Sequence, residues 1–136
     1  MATLQLQVVT PDKTVVNEEV ETVICPGLLG EFGIMPNHAP LLAALKIGRL
    51  IYRTKGQDHH LFIGGGFADV HKNICSVLAE SAEAAEDIDE ARAEAAKKRA
   101  QERLSQKSND LDEVRAEIAL ERAVMRLHIA QMQKLK

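Results

Sequence analysis

The chain has 136 residues and a formal net charge of -3, and aromatic residues make up only 3% of it, with no tryptophan. A core built from aliphatic side chains is modest, so a large enclosed enzyme pocket is not expected. Residues 1–87 hold 6 basic and 11 acidic side chains and residues 88–136 hold 11 and 9, so neither half has the basic stripe of a nucleic-acid-binding protein. With no secretory leader and no 18-residue apolar run, the sequence predicts a soluble or peripheral protein.

The amino-terminal part shows the period-two pattern of short β-strands. Apolar and polar residues alternate from Leu4 to Val8, and a polar turn with Pro11 follows. Further strands are predicted over residues 15–16, 20–25, 28–35, 41–45, 47–53, 59–63, 68–71 and 74–78. About nine or ten short strands separated by frequent turns predict a β-sandwich or flattened barrel.

Residues 30–42 form a predicted rigid corner. Gly30 and Gly33 permit unusual backbone angles, whereas Pro36 and Pro40 fix φ, so no strand can continue through residues 36–40. His38 lies between the two prolines with no Ser, Cys or Lys nucleophile nearby. A structural histidine is therefore favoured over a catalytic one.

Three features that suggest ligand sites are better explained structurally. Cys25 and Cys75 fit no metal-ligand spacing and lie in apolar surroundings, which predicts reduced core thiols and, weakly, a reducing cytosol. His59 and His60 point to opposite faces of a strand, so they cannot chelate one ion together. The glycines at 64–66 lack the Lys-Ser or Lys-Thr and the helix of a phosphate loop, which favours a bulge or close strand approach.

The hydrophobic period changes to 3.6 near Asp87. Asp87 and Glu90 predict a capping box, with Ile88 opening a first helix that ends at a polar break over residues 105–109. A second capping box over residues 110–113 begins another helix. One apolar stripe is predicted along that helix, formed by Leu111, Val114, Ile118, Met125, Ile129 and Met132.

Arginines recur along each helix at spacings of seven and four residues, which places them on one face. They are Arg92, Arg99 and Arg103 on the first helix and Arg115, Arg122 and Arg126 on the second. Solvated faces relieved by acidic neighbours are the usual explanation of such charges. Because the first helix is rich in alanine, closing the hairpin buries little apolar area and brings like charges together, so compact and extended forms are expected near balance.

Residues 30–42 resemble the Gly-x-x-Gly-x-x-Pro-x-His-x-Pro-Leu loop of the epsilon subunit of F-type ATP synthases, and the Gly-Gly-Gly-Phe run at 64–67 is also typical of that family. Residues 88–93, Ile-Asp-Glu-Ala-Arg-Ala, match the Ile/Leu-Asp-x-x-Arg-Ala motif that binds ATP in bacterial members. The resemblance spans essentially the whole chain. It implies an α+β fold, with a β-sandwich domain over residues 1–87 and an antiparallel two-helix hairpin over residues 88–136.

The resemblance also implies a nucleotide site without catalysis. Its residues would be Glu83, Ile88, Asp89, Arg92, Ala93, Arg99, Arg122 and Arg126. The guanidinium groups would hold the phosphates, and Glu83 or Asp89 could accept hydrogen bonds from the adenine amino group or the ribose hydroxyls. ATP would be a regulatory ligand, with no required cofactor, no metal site and no group poised to activate water.

The partners implied by the resemblance are the gamma subunit and the c-ring, contacted near Glu31, Phe32 and His38, with no nucleic acid. The hairpin would be compact, or would extend along gamma into the alpha/beta catalytic hexamer and restrain ATP hydrolysis. The protein would be peripheral at the cytoplasmic face of the bacterial plasma membrane, which it would touch only through the c-ring.

Two alternatives are open from the sequence. A small ligand-binding or enzymatic sandwich could use His38 and the glycines at 64–66 as its site and self-associate through a coiled-coil tail. A free-standing cytosolic ATP sensor would share the helical site but need no rotor. Co-purification with the gamma subunit separates these possibilities.

Overall fold

The computed structural model describes residues 2–106 and 110–134, in which eight strands precede two helices. The elements are β1 (Leu4–Val9), β2 (Thr14–Val20), β3 (Thr22–Gly27), β4 (Gly30–Ile34), β5 (Leu41–Thr54), β6 (Gln57–His71), β7 (Ile74–Ala79), β8 (Ala82–Ala84), a 3-10 turn (Ala85–Asp87), α1 (Glu90–Ser105) and α2 (Asp110–Lys134). The predicted α+β class, a β-sandwich followed by two helices, is confirmed.

All the strands belong to one sheet, with the order β2-β1-β7-β6-β5-β3-β4 and β8 paired to β6. The sheet folds into two layers because β5 and β6, at 14 and 15 residues, are long enough for their two halves to pair with different neighbours. One half of β6 pairs with β7 and the other with β8. The sheet is not closed, since β2 and β4 form its two ends, so the predicted flattened barrel was wrong and the sandwich was right.

The main core lies between the two layers and is aliphatic, as the composition predicts. Leu4, Leu6 and Val8 of β1 face into it, and their alternation with less buried neighbours matches the sequence pattern. Cys25 and Cys75 are both free and fully buried in this core, as predicted. The pKa of the Cys25 thiol is raised because it hydrogen bonds to Cys75 and because burial disfavours the thiolate.

The glycine run at 64–66 lies inside β6 and does not end a strand. Gly65 and Gly66 have φ of 98° and 145°, and a Cβ on Gly66 would meet the backbone carbonyl of Leu78. The predicted close approach of strands is confirmed. The predicted breaks at the glycines and between residues 45 and 47 were wrong, because β5 and β6 continue past them and their pairing has the same register on both sides.

The corner at residues 35–40 contains no strand, as the two prolines require. Asn37, at φ 63°, donates its backbone N–H to Asn73 Oδ1 at 2.8 Å. Asn73 in turn donates from Nδ2 to the carbonyl of Thr3 at 2.9 Å, which ties the corner to the start of β1. His38 Nδ1 lies 2.7 Å from the carbonyl oxygen of Ala39, a local contact that fits a structural role.

The first helix begins later than the sequence suggested. Asp89 is its N-cap and accepts a hydrogen bond from the backbone N–H of Arg92 at 3.0 Å, so the predicted capping box at Asp87 and Glu90 was wrong. Asp87 closes the 3-10 turn, and Ile88 is extended at φ -73° and ψ 125° with its side chain buried. Burial of Ile88 against the sandwich therefore delays the helix. The second predicted capping box, at residues 110–113, begins at residue 110, whose side chain lies outside those that the structure describes.

The two helices pack through alanines. Ala93 and Ala100 of α1 and Ala116 and Ala123 of α2 are almost fully buried. The apolar stripe predicted on α2 is wrong at Val114 and Ile118, which are 50% and 37% exposed, and the side chain of Leu111 lies outside the described residues. Only small side chains fit where two helix backbones approach closely. The alanines are therefore buried between the helices, and the branched side chains of Val114 and Ile118 lie on the exposed face.

The second half of α2 docks on the outer face of the sandwich through a second, smaller apolar cluster. Its buried members are Phe62, Ala85, Ile88, Ile129 and Ala130. At the end of α2, Lys134 Nζ pairs with Glu90 at the start of α1 at 2.6 Å, as an antiparallel hairpin requires. No helix within residues 2–106 and 110–134 combines the length and the apolar content needed to cross a bilayer.

Candidate functional site

A cavity of about 410 Å³ lies where the two helices meet the end of the sandwich. Its walls come from β8, the 3-10 turn, the first half of α1 and the middle of α2. The lining residues are Glu83, Asp87, Asp89, Arg92, Ala93, Ala96, Arg99 and Arg126. The cavity thus joins the sandwich to both helices.

Arg126 is the most constrained cation of the cavity. Its Nε donates to Glu83 Oε1 at 2.6 Å, and its guanidinium carbon lies 4.3 Å from the centroid of the Phe62 ring. The side chains of Arg126 and Glu83 are only 27% and 32% exposed. An ion pair that is partly shielded from water and stacked on an aromatic ring has a better-defined geometry than a surface pair.

Residues of α1 form the opposite wall. Asp89 holds the helix start through its bond to the Arg92 backbone, and the two arginines Arg92 and Arg99 follow along the same face with exposed side chains. Ala93 and Ala96 lie beside them and leave space that larger side chains would fill. Three arginines therefore approach one volume from two helices.

The cavity gathers six of the eight residues proposed from the sequence for nucleotide binding. The other two lie elsewhere: Ile88 is buried in the cluster under α2, and Arg122 is not among the lining residues. The Nε of Arg122 is buried without a hydrogen-bond partner among the described residues. Sequence reasoning missed Asp87, Ala96 and Phe62. Ala96 could have been found from its spacing of four from Arg92, whereas the position of Phe62 depends on strand pairing.

The charges in the cavity are mixed. Glu83, Asp87 and Asp89 line it together with three arginines. These carboxylates offset the repulsion that the sequence suggested for a closed hairpin. Within residues 2–106 and 110–134, no cluster of three or more His, Cys, Asp or Glu side chains is arranged to hold a metal ion.

A second, apolar groove lies on the sandwich beside the turn between β3 and β4. It has a volume of about 580 Å³, and its lining includes Leu28, Leu29, Phe32, Leu41 and Leu42 together with Glu31. Leu29 and Leu42 are 102% and 72% exposed. Glu31 and Phe32, two of the three residues proposed for rotor contacts, thus share one surface, and His38 is not among the residues that line it.

Two solved structures contain chains of similar fold. One, from the cryo-EM structure of Euglena gracilis mitochondrial ATP synthase, OSCP/F1/c-ring in rotational state 1, has a TM-score of 0.79 at 24% identity and covers 100% of this chain and 83% of that chain. The other, from the central stalk/c-ring structure of Tetrahymena thermophila mitochondrial ATP synthase, has a TM-score of 0.65 at 14% identity and covers 93% and 95%. At these identities the likeness concerns the fold.

Sequence comparisons are more specific. The model of the ATP synthase delta/epsilon chain beta-sandwich domain matches residues 3–85, and that of the long alpha-helix domain matches residues 86–131. An ATP synthase epsilon chain of Nitratidesulfovibrio vulgaris is 56% identical over 103 residues, 76% of this chain and 77% of that protein. Another, of Lawsonia intracellularis, is 51% identical over 95% of this chain and 97% of its own length. The chain therefore belongs to the ATP synthase delta/epsilon family, among the bacterial epsilon chains.

Proposed function

We propose that this chain is a non-catalytic rotor subunit of F-type ATP synthase whose hairpin responds to ATP. In the compact form, the cavity between helices and sandwich binds ATP. In the extended form, the hairpin runs along gamma into the alpha/beta hexamer and restrains ATP hydrolysis. ATP acts as a regulatory ligand and no cofactor is required.

The observation that carries this proposal is the convergence of Arg92, Arg99 and Arg126 on one cavity. Guanidinium groups present planar pairs of donors that match phosphate oxygens, and several of them can share one polyphosphate chain. The volume of about 410 Å³ lies within the usual range for small-molecule sites. Glu83 and Asp89 already bond to Arg126 and to the helix start, which suits binding better than activation of water.

The apolar groove beside Glu31 supports a rotor position for the sandwich. Exposed leucines at Leu28, Leu29 and Leu42 favour burial against another protein. One similar chain belongs to a structure described as containing F1 and a c-ring. We place the c-ring and the gamma subunit as partners of the sandwich, which would keep the chain at the cytoplasmic face of the bacterial plasma membrane without direct membrane contact.

ATP titration of the full chain by calorimetry tests the helical site. Arg92→Ala and Arg126→Ala each remove a cation that faces the cavity, and a hydrogen bond to a charged group contributes about 1.5–3 kcal/mol. Each change should therefore weaken ATP binding by roughly tenfold to a hundredfold. The sandwich should unfold at nearly the same temperature, because neither side chain belongs to its core.

Arg115→Ala is the matched control, since Arg115 is exposed on α2 and does not line the cavity. It should bind ATP as the parent does. If the parent does not bind ATP, or if all three variants bind equally well, the nucleotide site is wrong and the arginines form a solvated face or a docking surface.

The rotor assignment is tested separately by co-purification with the gamma subunit. The full chain should form a stable complex with gamma, and the assembled ATP synthase should hydrolyse ATP more slowly with the full chain than with a chain ending at residue 87. Self-association through the helices without gamma binding would favour the ligand-binding sandwich with a dimerisation tail. ATP binding without gamma binding would favour the free-standing sensor.

A further inference from the structure

Phe62 and Glu83 are directly opposite each other in the pairing of β6 with β8. Residues paired across two strands place their side chains on the same face of the sheet. Here that face is the outer one, on which α2 docks. The register of two strands thus puts an aromatic ring and a carboxylate side by side under Arg126 of α2.

Arg126 contacts both members of this pair with different parts of its guanidinium. The Nε bonds to Glu83 Oε1 at 2.6 Å, and the guanidinium carbon lies 4.3 Å from the ring centroid of Phe62. The ion pair with Glu83 fixes one edge of the planar group, and the ring fixes its face. The terminal nitrogens Nη1 and Nη2 are outside the bond to Glu83, on a side chain that lines the cavity.

We propose that Phe62 is a positioning residue of the anion site, which holds Arg126 so that its two terminal nitrogens are presented to a polyphosphate. This inference rests on the proposed nucleotide site and adds a residue that no ligand would touch, since Phe62 is 0% exposed. It also explains how the site is coupled to the hairpin. Because the ring and the carboxylate belong to the sandwich, Arg126 is oriented only while α2 is docked.

The test is the ATP affinity of Phe62→Leu, measured by calorimetry on the full chain. Leucine retains an apolar contact for Ile129 but has no π face for the guanidinium. A partly desolvated cation–π contact predicts an affinity lower by about threefold to thirtyfold. Phe67→Leu is the matched control, because Phe67 lies on the same strand, is 55% exposed and belongs neither to the cluster under α2 nor to the cavity lining. This variant should bind ATP as the parent does.

A merely structural role for Phe62 is separated by two further variants. Ile129→Val loosens the same apolar cluster without touching the ring face, so it should weaken the docking of α2 and lower ATP affinity by less than Phe62→Leu does. In an Arg126→Ala background, Phe62→Leu should cause no further loss of affinity, because its effect passes through Arg126. Binding in that background is followed to millimolar ATP.

The outcomes are distinct. A parent that binds ATP and a Phe62→Leu variant that binds equally well would overturn this inference and leave the nucleotide site standing. The same loss from Phe62→Leu with and without Arg126, or an equal loss from Ile129→Val, would also overturn it. Failure of the parent to bind ATP would overturn both proposals together.

Discussion

Asp89 meets two requirements at once. Its carboxylate caps α1 by accepting from the Arg92 backbone at 3.0 Å, and the same side chain lines the cavity. A capping carboxylate at a helix start is favourable because the macrodipole places partial positive charge there. The cap also fixes the position of Arg92 in the first turn of α1. Asp89 therefore matters to the site through the helix geometry as well as through its charge.

Among the glycines of the sandwich, Gly66 combines a positive φ with the closest backbone approach to an added Cβ. Gly66→Ala would force a side chain into φ 145° and against the Leu78 carbonyl, so we expect destabilisation of about 2–4 kcal/mol in denaturant unfolding. Gly56→Ala is the control, because Gly56 has φ 73° but nothing within 4 Å of an added Cβ. It should cost only about 1 kcal/mol. Equal losses at the two positions would mean that the strand contact at Gly66 is unimportant.

At the scale of elements, the sequence predicted alternation and turns well and strand length poorly. The glycines at 64–66 indicated an interruption, but Gly64 N–H bonds to the Ser81 carbonyl at 2.8 Å and Glu80 N–H bonds to the Gly65 carbonyl at 2.9 Å. These bonds continue the pairing of β6 through the three glycines. Their partners, Glu80 and Ser81, belong to the segment that follows β7. The local sequence around the glycines cannot predict this long-range pairing.

The same limit applies to the helices and to the site. The period of 3.6 predicted both helices, but the face of α2 that is buried depends on α1, whose alanines select Ala116 and Ala123 over Val114. The arginines and Glu83 were predicted through a family motif. Phe62 was not, because its place beside Glu83 follows from strand register and not from its sequence neighbours.

The two apolar clusters predict that the sandwich folds without the hairpin. The core between the layers contains no helical residue, whereas the cluster under α2 contains Phe62, Ile88 and Ile129. A chain ending at Asp87 should therefore unfold cooperatively in denaturant, at a somewhat lower midpoint than the full chain. Its surface should gain the exposed ring of Phe62.

Phe62→Ser provides the matched comparison for this truncation. In the full chain it should lower the unfolding midpoint to about that of the truncated chain, since Phe62 is 0% exposed there and its burial depends on α2. In the truncated chain the ring is already in water, so the same change should cost little. Large losses in both chains, or a non-cooperative transition of the truncated chain, would show that sandwich and hairpin form one folding unit.

For the whole molecule, the proposed balance between compact and extended hairpin would depend mainly on α2. Arg126–Glu83 is partly shielded, but Lys134–Glu90 has side chains that are 68% and 36% exposed, and such pairs contribute about 0–1 kcal/mol. The apolar cluster is small, and α1 is held mainly through alanines. No single contact is strong enough to lock the hairpin shut, so a ligand in the cavity can shift the equilibrium.

We expect ATP to shift this equilibrium only in part. A ligand at 100 times its dissociation constant stabilises the binding form by about 2.7 kcal/mol, whereas a change from 1:99 to 99:1 needs about 5.5 kcal/mol. The measurement is a distance distribution between spin labels at Lys55→Cys, in the exposed β5–β6 turn, and Gln131→Cys, exposed on α2. The neighbouring Gly56 and Gln133 line one pocket, so the labels are close in the compact form.

ATP should raise the fraction of short distances and leave a residual population of long ones. Arg126→Ala should reduce the response at the same ATP concentration without changing the label sites. Cys25 and Cys75 are buried, so they compete little for the label. Complete conversion by ATP from a mainly extended population would mean that the nucleotide alone sets the hairpin. Its failure to shift the distances at all would mean that the cavity binds both forms equally or binds no nucleotide. A partial shift would mean that the nucleotide supplies only part of the free energy of the switch. The gamma subunit and the catalytic hexamer would then supply the rest by binding the extended helices in the assembled enzyme.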